Sequence, residues 1–271
     1  MNIHPSAIID PKAQIGENVK IGPFVIIEND VVIGDGTEIK SSAVIKSGAR
    51  IGKECRIFQS AVISEIPQDL KFSGEKTLLE IGDRTTVREF CTLNRGTSEL
   101  GKSSIGNGCL LMAYVHVAHD CVIEDEVILG NNVLLAGHVC VESQAIVSGG
   151  AAVNHFVTIG SLAMVGGMAR VIQDIPPYMI AEGAPARARG VNVVGLKRKN
   201  HTPETIGELR TAFRKLIADE SPTTLAIQEL ESQSNLLPET KRLIGFLHDM
   251  ERGFQGRYRE SLRRHNTLES S

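Results

Sequence analysis

Four histidines, His116, His119, His138 and His155, fall within one stretch of forty residues in a chain of 271. Neutral imidazole near pH 7 can take up a proton and return it, which is what group transfer to a hydroxyl requires. A histidine cluster can also hold zinc, and the closest pair here, His116 and His119, is three residues apart. The other candidate nucleophiles are the five cysteines Cys55, Cys91, Cys109, Cys121 and Cys140, which show neither a CxxC nor a zinc-finger spacing. Whether these side chains can act together depends on the elements that carry them.

Those elements are announced by a period of six. Counting from Ile3, every sixth residue to Ile63 is isoleucine, and the same phase returns at Ile81, Val87 and Leu93 and then runs from Ile105 to Val171 as Ile, Leu or Val. The residue four places later is small or β-branched, as at Ala7, Ala13, Val19, Val25, Val31, Thr37 and Ala43. A six-residue period is neither helical nor simple alternation; it belongs to parallel β-helices, whose short strands stack coil on coil. A sandwich of many short strands would not hold one phase over so long a stretch.

With three hexads to a triangular coil, residues eighteen apart stack at about the 4.8 Å strand spacing. His119, Gly137 and His155 then form a column, with His138 beside Gly137 and His116 on the preceding corner. Positions one and five of each hexad face the interior, so Cys55, Cys91, Cys109 and Cys121, all at position five, are read as packing residues. The four histidines occupy positions six, three, four and three and are expected to point outward. Two stretches break the repeat, Glu65 to Leu79 and Ser98 to Ser104; both are expected to leave the coil as loops that carry function.

The repeat stops near Pro176, which divides the chain into a β-helix over 1–190 and a C-terminal helical domain over 191–271. Thr202 before Pro203 signals a helix start, with Leu209, Phe213, Leu216 and Ile217 at helical spacing. Further helices are expected near Thr223 to Ser232 and Pro238 to Arg252, followed by a frayed tail, RRHNTLESS. Hydrophobic residues at 42% suffice for a sizeable core, and a net charge of -3 argues against a nucleic-acid binder. The N-terminal residues lack a signal-peptide pattern and no stretch reaches the length of a membrane span, so the expectation is a cytoplasmic protein with no integral membrane segment.

The segments MAYVHVAHDC and LAGHV, with PQDLK, IGD, RGT, DIPPY and GVNVVGLKRK, resemble the UDP-N-acetylglucosamine O-acyltransferases that open lipid A biosynthesis, over essentially the whole chain. The resemblance implies a left-handed parallel β-helix, a homotrimer and active sites between subunits. It also implies transfer of a 3-hydroxyacyl chain from the phosphopantetheine of acyl carrier protein to the 3-position of UDP-N-acetylglucosamine, with no metal and no other cofactor. His119 would be the general base, Asp120 would orient its ring, and the Gly137 N–H would stabilise the oxyanion. Gln68, Asp69, Lys71, His116, His138 and His155 would contact sugar, phosphates or acyl group. Gly167 would limit acyl length, from another subunit, and Asn192 and Arg198 would meet the nucleotide. Members usually read His-Gln where this chain has Asn154 and His155, and a Glu of the nucleotide segment is Val194 here. Those departures leave open whether the acceptor sugar bears a 3-hydroxyl or a 3-amino group. Two other classes carry less of the sequence: a zinc-dependent carbonic-anhydrase-like hexapeptide protein, which would need two histidines about five apart, and a non-catalytic β-helix scaffold.

Overall fold

Residues eighteen apart stand beside each other in hydrogen-bonded register from the first coil: Ile3 lies opposite Ile21, Ile9 opposite Ile27 and Ile15 opposite Ile33. The computed structural model describes residues 2–218, 224–232 and 235–252; the expected tail lies outside them. Two-residue strands alternate with four-residue corners, so that three parallel sheets of eleven, nine and eight strands wall a triangular coil. The eleven-stranded sheet begins at Asn2–Ile3, the nine-stranded at Ile8–Ile9 and the eight-stranded at Gln14–Ile15; they are called here the first, second and third sheets.

The hexad sorts side chains as the spacing predicts. Aliphatics at position one and small residues at position five fill a continuous interior from Val19 to Ala186, including Cys55, Cys91, Cys109 and Cys121 at 0 to 2% exposure. The fourth residue of nearly every hexad takes a left-handed φ, among them Asn18 (56°), Asp120 (58°), His138 (63°) and Phe156 (64°). That conformation costs most residues about 1 kcal/mol or more, so the coil bears it only because the ladder on either side dictates it.

Between Ile57 and Val87 the partners are thirty residues apart, and between Val87 and Leu111 twenty-four. Twelve and then six residues therefore leave the coil, whole hexads in both cases, which is why the phase survives. The first excursion is narrower than expected, and the second has the expected length but lies three residues earlier. Glu65 closes the strand Val62–Glu65 and Leu78–Ile81 is again a strand, so the first spans 66–77. Lys102–Ile105 is a strand too, and the second excursion spans 95–101. Both leave from the corner between the second and third sheets, the corner that later carries His119.

A hairpin, Met179–Gly183 and Ala186–Val191, caps the first sheet. Helix α1 (Val193–Arg198) follows, then α2 (Pro203–Phe213), which runs into a π-helical turn at Arg214–Ala218. As the Thr-Pro pair suggests, the Thr202 hydroxyl caps α2 by accepting from the Thr205 N–H at 3.1 Å. Helices α3 (Thr224–Glu231) and α4 (Pro238–Glu251) complete a second apolar cluster around Leu209, Leu216 and Leu243. Arg242 on α4 pairs with Glu142, and Lys199 with Glu126, tying the helices to the corner between the third and first sheets. Among the described residues no helix is long and apolar enough to cross a membrane.

Candidate active site

Stacking by eighteen delivers the histidine column. His119, Gly137 and His155 occupy one corner on successive coils, joined by hydrogen bonds from the His138 N–H to the His119 carbonyl and from the Phe156 N–H to the Gly137 carbonyl. Glycine at 137 is required by its neighbour, because a Cβ there would lie 2.6 Å from both Cε1 and Nε2 of His119. His116 sits not on a corner but in the strand His116–Val117 just before it, with Nδ1 2.8 Å from the Thr92 hydroxyl.

All four histidines point outward from the coil, as the hexad count predicts, but two of them are covered. His119 and His138 lie outside the coil wall, yet are 7% and 4% exposed. The two excursions and the neighbouring corner cover them: Asp69 of the first brings Oδ2 to 3.9 Å from His119 Nε2, and Glu99 of the second brings Oε2 to 3.8 Å from His138 Nε2. The His138 ring stacks on Phe156 at 4.5 Å and meets His119 edge-on at 5.1 Å. Bonds from the Asn94 side-chain amide to the Ile66 carbonyl and from the Ser98 N–H to Glu75 brace the excursions.

Asp120 turns the corner and orients the imidazole at once. Its left-handed φ is one that Asp tolerates. Its Oδ2 stands 2.8 Å from His119 Nδ1, while the Thr97 amide and hydroxyl bind its two oxygens at 2.9 and 2.7 Å. Burial alone would raise the Asp120 carboxyl pKa, but the hydrogen bonds from His119 and Thr97 outweigh it and hold the value below the usual one. An ionised carboxylate only accepts, so Nδ1 carries the proton and the lone pair of His119 sits on Nε2, facing the cleft. His116 is held below its ordinary pKa by burial, against the opposing bond at Thr92.

The cleft has a volume of about 590 Å³. Gln68, Asp69, Lys71, His116, His119, Gly137, His138 and His155 all line it, with Asp120 beneath His119. Three expected site residues are elsewhere. Gly167 is exposed on the corner between the first and second sheets, with room for a Cβ against the Gly149 carbonyl at 3.4 Å. The Asn192 side chain is buried as the cap of α1, accepting from the Gly195 N–H at 3.0 Å and donating to the Leu162 carbonyl at 2.8 Å. Arg198 ends that helix, exposed. Four residues that sequence reasoning did not single out belong to the site: Thr97 and Ser103 around Asp120, Phe156 behind His138, and Leu70, fully exposed at the rim. Phe156 was accessible to the eighteen-residue count, being one coil on from His138.

His119, Asp120 and His138 offer three ligand atoms within 4.8 Å of one another. They fit a metal poorly. The 2.8 Å between His119 Nδ1 and Asp120 Oδ2 is hydrogen-bonding distance, and two ligands of one zinc, each about 2.0 to 2.2 Å from it, stand farther apart. The zinc reading therefore has no support in the donor set.

The chain is similar to known proteins over most of its length. A family model described as "Udp N-acetylglucosamine O-acyltransferase; Domain 2" matches residues 174–255, and a bacterial transferase hexapeptide model matches 12–47 and 102–137. An acyl-[acyl-carrier-protein]–UDP-N-acetylglucosamine O-acyltransferase from Sulfurovum is 47% identical over 253 residues, 93% of this chain and 96% of that protein. The chain belongs to that acyltransferase family. A second member, from Janthinobacterium, is 43% identical over 91% of this chain and 95% of its own length. A crystal structure of a UDP-N-acetylglucosamine acyltransferase from Bacteroides fragilis superposes with a TM-score of 0.89 at 41% identity, covering 91% of this chain and 97% of that one. The coil is thus the left-handed parallel β-helix of this acyltransferase family.

Proposed function

We propose that this chain, acting as a cytoplasmic homotrimer, transfers a 3-hydroxyacyl group from the phosphopantetheine of acyl carrier protein to the 3-position of UDP-N-acetylglucosamine in lipid A biosynthesis. The observation that carries the reading is the pairing at His119: Nδ1 bonded to a buried carboxylate and Nε2 turned into a cleft of substrate size. Family membership supplies the donor and acceptor.

The mechanism follows from the same atoms. His119 Nε2 accepts the proton of the sugar 3-hydroxyl as that oxygen attacks the thioester carbonyl. Negative charge gathers on the carbonyl oxygen within reach of the Gly137 N–H. The coil offers its own support for that role, because the amide at the third hexad position repeatedly binds an anionic oxygen elsewhere. Glu17 donates to Asp35 at 2.9 Å, Lys53 to Asp83 at 2.8 Å, Asn107 to Asp125 at 2.6 Å and Ser161 to Glu142 at 2.8 Å. Among the described residues the Gly137 N–H has no such acceptor. Collapse of the tetrahedral intermediate breaks the carbon–sulfur bond, and the proton held by His119 goes to the leaving thiol.

Gln68, Asp69, Lys71, His116, His138 and His155 then contact sugar, phosphates or acyl chain. A neighbouring subunit brings Gly167 to the acyl chain and Arg198 to the nucleotide; Asn192, with its amide committed to the cap, orders the turn that presents Arg198. No metal or further cofactor takes part. The experiment is mass spectrometry of products formed from mixed 3-hydroxyacyl carrier proteins and UDP-sugars bearing a 3-hydroxyl or 3-amino group, with His119→Ala as control. An acylated UDP-sugar formed by wild type in the presence of a chelator, and lost by about 10² to 10⁴ in rate with His119→Ala, is expected. Absence of that product, or carbon dioxide hydration that a chelator abolishes, would sink the reading.

A further inference from the structure

The Asp120 carboxylate has a second set of partners beside the imidazole, and both come from one residue. Oδ1 accepts from the Thr97 N–H at 2.9 Å, and Oδ2, the oxygen bonded to His119, accepts from the Thr97 hydroxyl at 2.7 Å. The direction of that hydroxyl is forced. The Glu99 N–H donates to Thr97 Oγ1 at 3.3 Å, and an ionised carboxylate has no proton to give, so the hydroxyl proton points at Oδ2. On the other side the Asp120 N–H donates to Ser103 Oγ at 2.8 Å. Thr97 and Asp120 are 6% and 1% exposed, so water does not substitute for these bonds. Thr97 belongs to the second excursion, over 95–101, outside the hexad ladder.

We propose that Thr97 is a positioning residue for acyl transfer: its hydroxyl and amide together hold the Asp120 carboxylate in the plane that fixes the tautomer and ring orientation of His119. Docking of the second excursion is thereby coupled to the competence of the base. This inference rests on the reading of His119 as general base.

A positioning role differs measurably from packing. Two donors share Oδ2, and removing the hydroxyl leaves that oxygen a stronger acceptor for the Nδ1 proton, which favours imidazolium over imidazole. The base then stays protonated to higher pH, and the acid limb of the rate profile moves up. The charged and titratable groups around it are unchanged by a substitution at Thr97. They are Asp69, 3.9 Å from His119 Nε2, His138, 3.7 Å from Asp120 Oδ2, and Glu99, 3.8 Å from His138, with Lys71, His116 and His155 on the cleft wall.

The test compares kcat, both KM values and the pH profile of wild type, Thr97→Ser, Thr97→Val, Thr97→Ala and His119→Ala, using UDP-N-acetylglucosamine and a 3-hydroxyacyl carrier protein. Thr97→Val and Thr97→Ala are expected to lose about 10- to 100-fold in kcat at pH 7, the range for a lost bond to a charged group, with KM little changed and the acid limb at higher pH. Thr97→Ser should restore both rate and limb. Folded hydroxyl-less variants with wild-type rate and profile would overturn the proposal, as would a loss uniform over pH with the limb unmoved. Failure of both to fold while Thr97→Ser folds would assign the hydroxyl to the fold alone, with the same consequence. An active His119→Ala removes the underlying reading as well; an inactive His119→Ala beside a fully active Thr97→Val removes only the role of Thr97.

Discussion

Gly137 lies against the imidazole of His119, so close that a methyl group on its Cα would stand 2.6 Å from Cε1 and from Nε2. Real side chains do not approach so near, and the ring would have to swing away, breaking its 2.8 Å bond to Asp120. The φ of Gly137 is not among the left-handed ones, so alanine carries no backbone strain there. Gly137→Ala is therefore expected to fold with an intact coil and, with the base displaced, to lose about 10² to 10⁴ in kcat. Circular dichroism melting and single-turnover rates check the two halves; a variant with more than a tenth of wild-type turnover would show that the ring can work from another place.

The relationship also marks how far the sequence could be read. Position three on successive coils put Gly137 between His119 and His155 by counting alone, because strand stacking admits one register when the aliphatics must stay inside. The hexad likewise separated interior cysteines from outward histidines. It could not show that His119 and His138 are covered, since cover comes from excursions whose course obeys no repeat. The role of Thr97, within the quoted RGT segment, was hidden for the same reason: its bond to Asp120 depends on where the second excursion turns back, not on any spacing. Asn192 was read as a nucleotide contact from its motif, and only the local turn reveals its side chain engaged as a helix cap.

Stability should fall in mild acid through His116. Burial holds its folded pKa below the ordinary 6.5, so below that pH the unfolded chain binds a proton that the folded chain resists. The sign is a contribution present above about pH 6.5 and lost as pH drops toward the folded value. Asp120 acts later: its folded pKa lies under the ordinary 3.8, and its contribution, present above that value, disappears only as pH falls through the lowered one. His116→Gln, which cannot be protonated, is expected to flatten the decline in melting temperature between pH 6.5 and 5 while leaving the steeper loss below pH 4. Parallel slopes for variant and wild type in the upper window would assign the loss to other groups.

Thiol chemistry should not touch turnover. Burial pushes the Cys91 and Cys109 thiols up to about 11 and raises that of Cys55 as well. At pH 8 a thiol with that value is thiolate in about one molecule in a thousand, and the coil wall excludes the reagent besides. Iodoacetamide at pH 8 is expected to leave Cys55, Cys91 and Cys109 unmodified by peptide mass, with any alkylation on half-buried Cys140 and activity retained. Cys121→Ala should retain activity too, since its sulfur fills the interior beside the Ala136 carbonyl at 3.2 Å. A folded Cys121→Ala without activity would contradict the packing role.

Gly167 gives the last expectation, on acyl length. It lies one corner away from His119, exposed, and a Cβ there meets only the Gly149 carbonyl at 3.4 Å, so a larger residue is accommodated by this subunit. Any effect on the acyl chain must then arise where a second subunit closes the groove over that corner, with Gly149 and Gly150 beside it and exposed Met168 following. In Gly167→Met the new side chain would fill space that several terminal methylenes of a long chain need. Each methylene kept from apolar burial forfeits about 0.8 kcal/mol, and forcing it past the side chain costs about 1 to 3 kcal/mol more. A short chain ends before the obstruction and meets neither term. The ratio of kcat/KM for a long over a short 3-hydroxyacyl donor is therefore expected to fall by about 10-fold or more in the variant, with short-chain turnover near wild type. An unchanged ratio would place the end of the acyl chain away from this corner, and with it the subunit contact that the prediction needs.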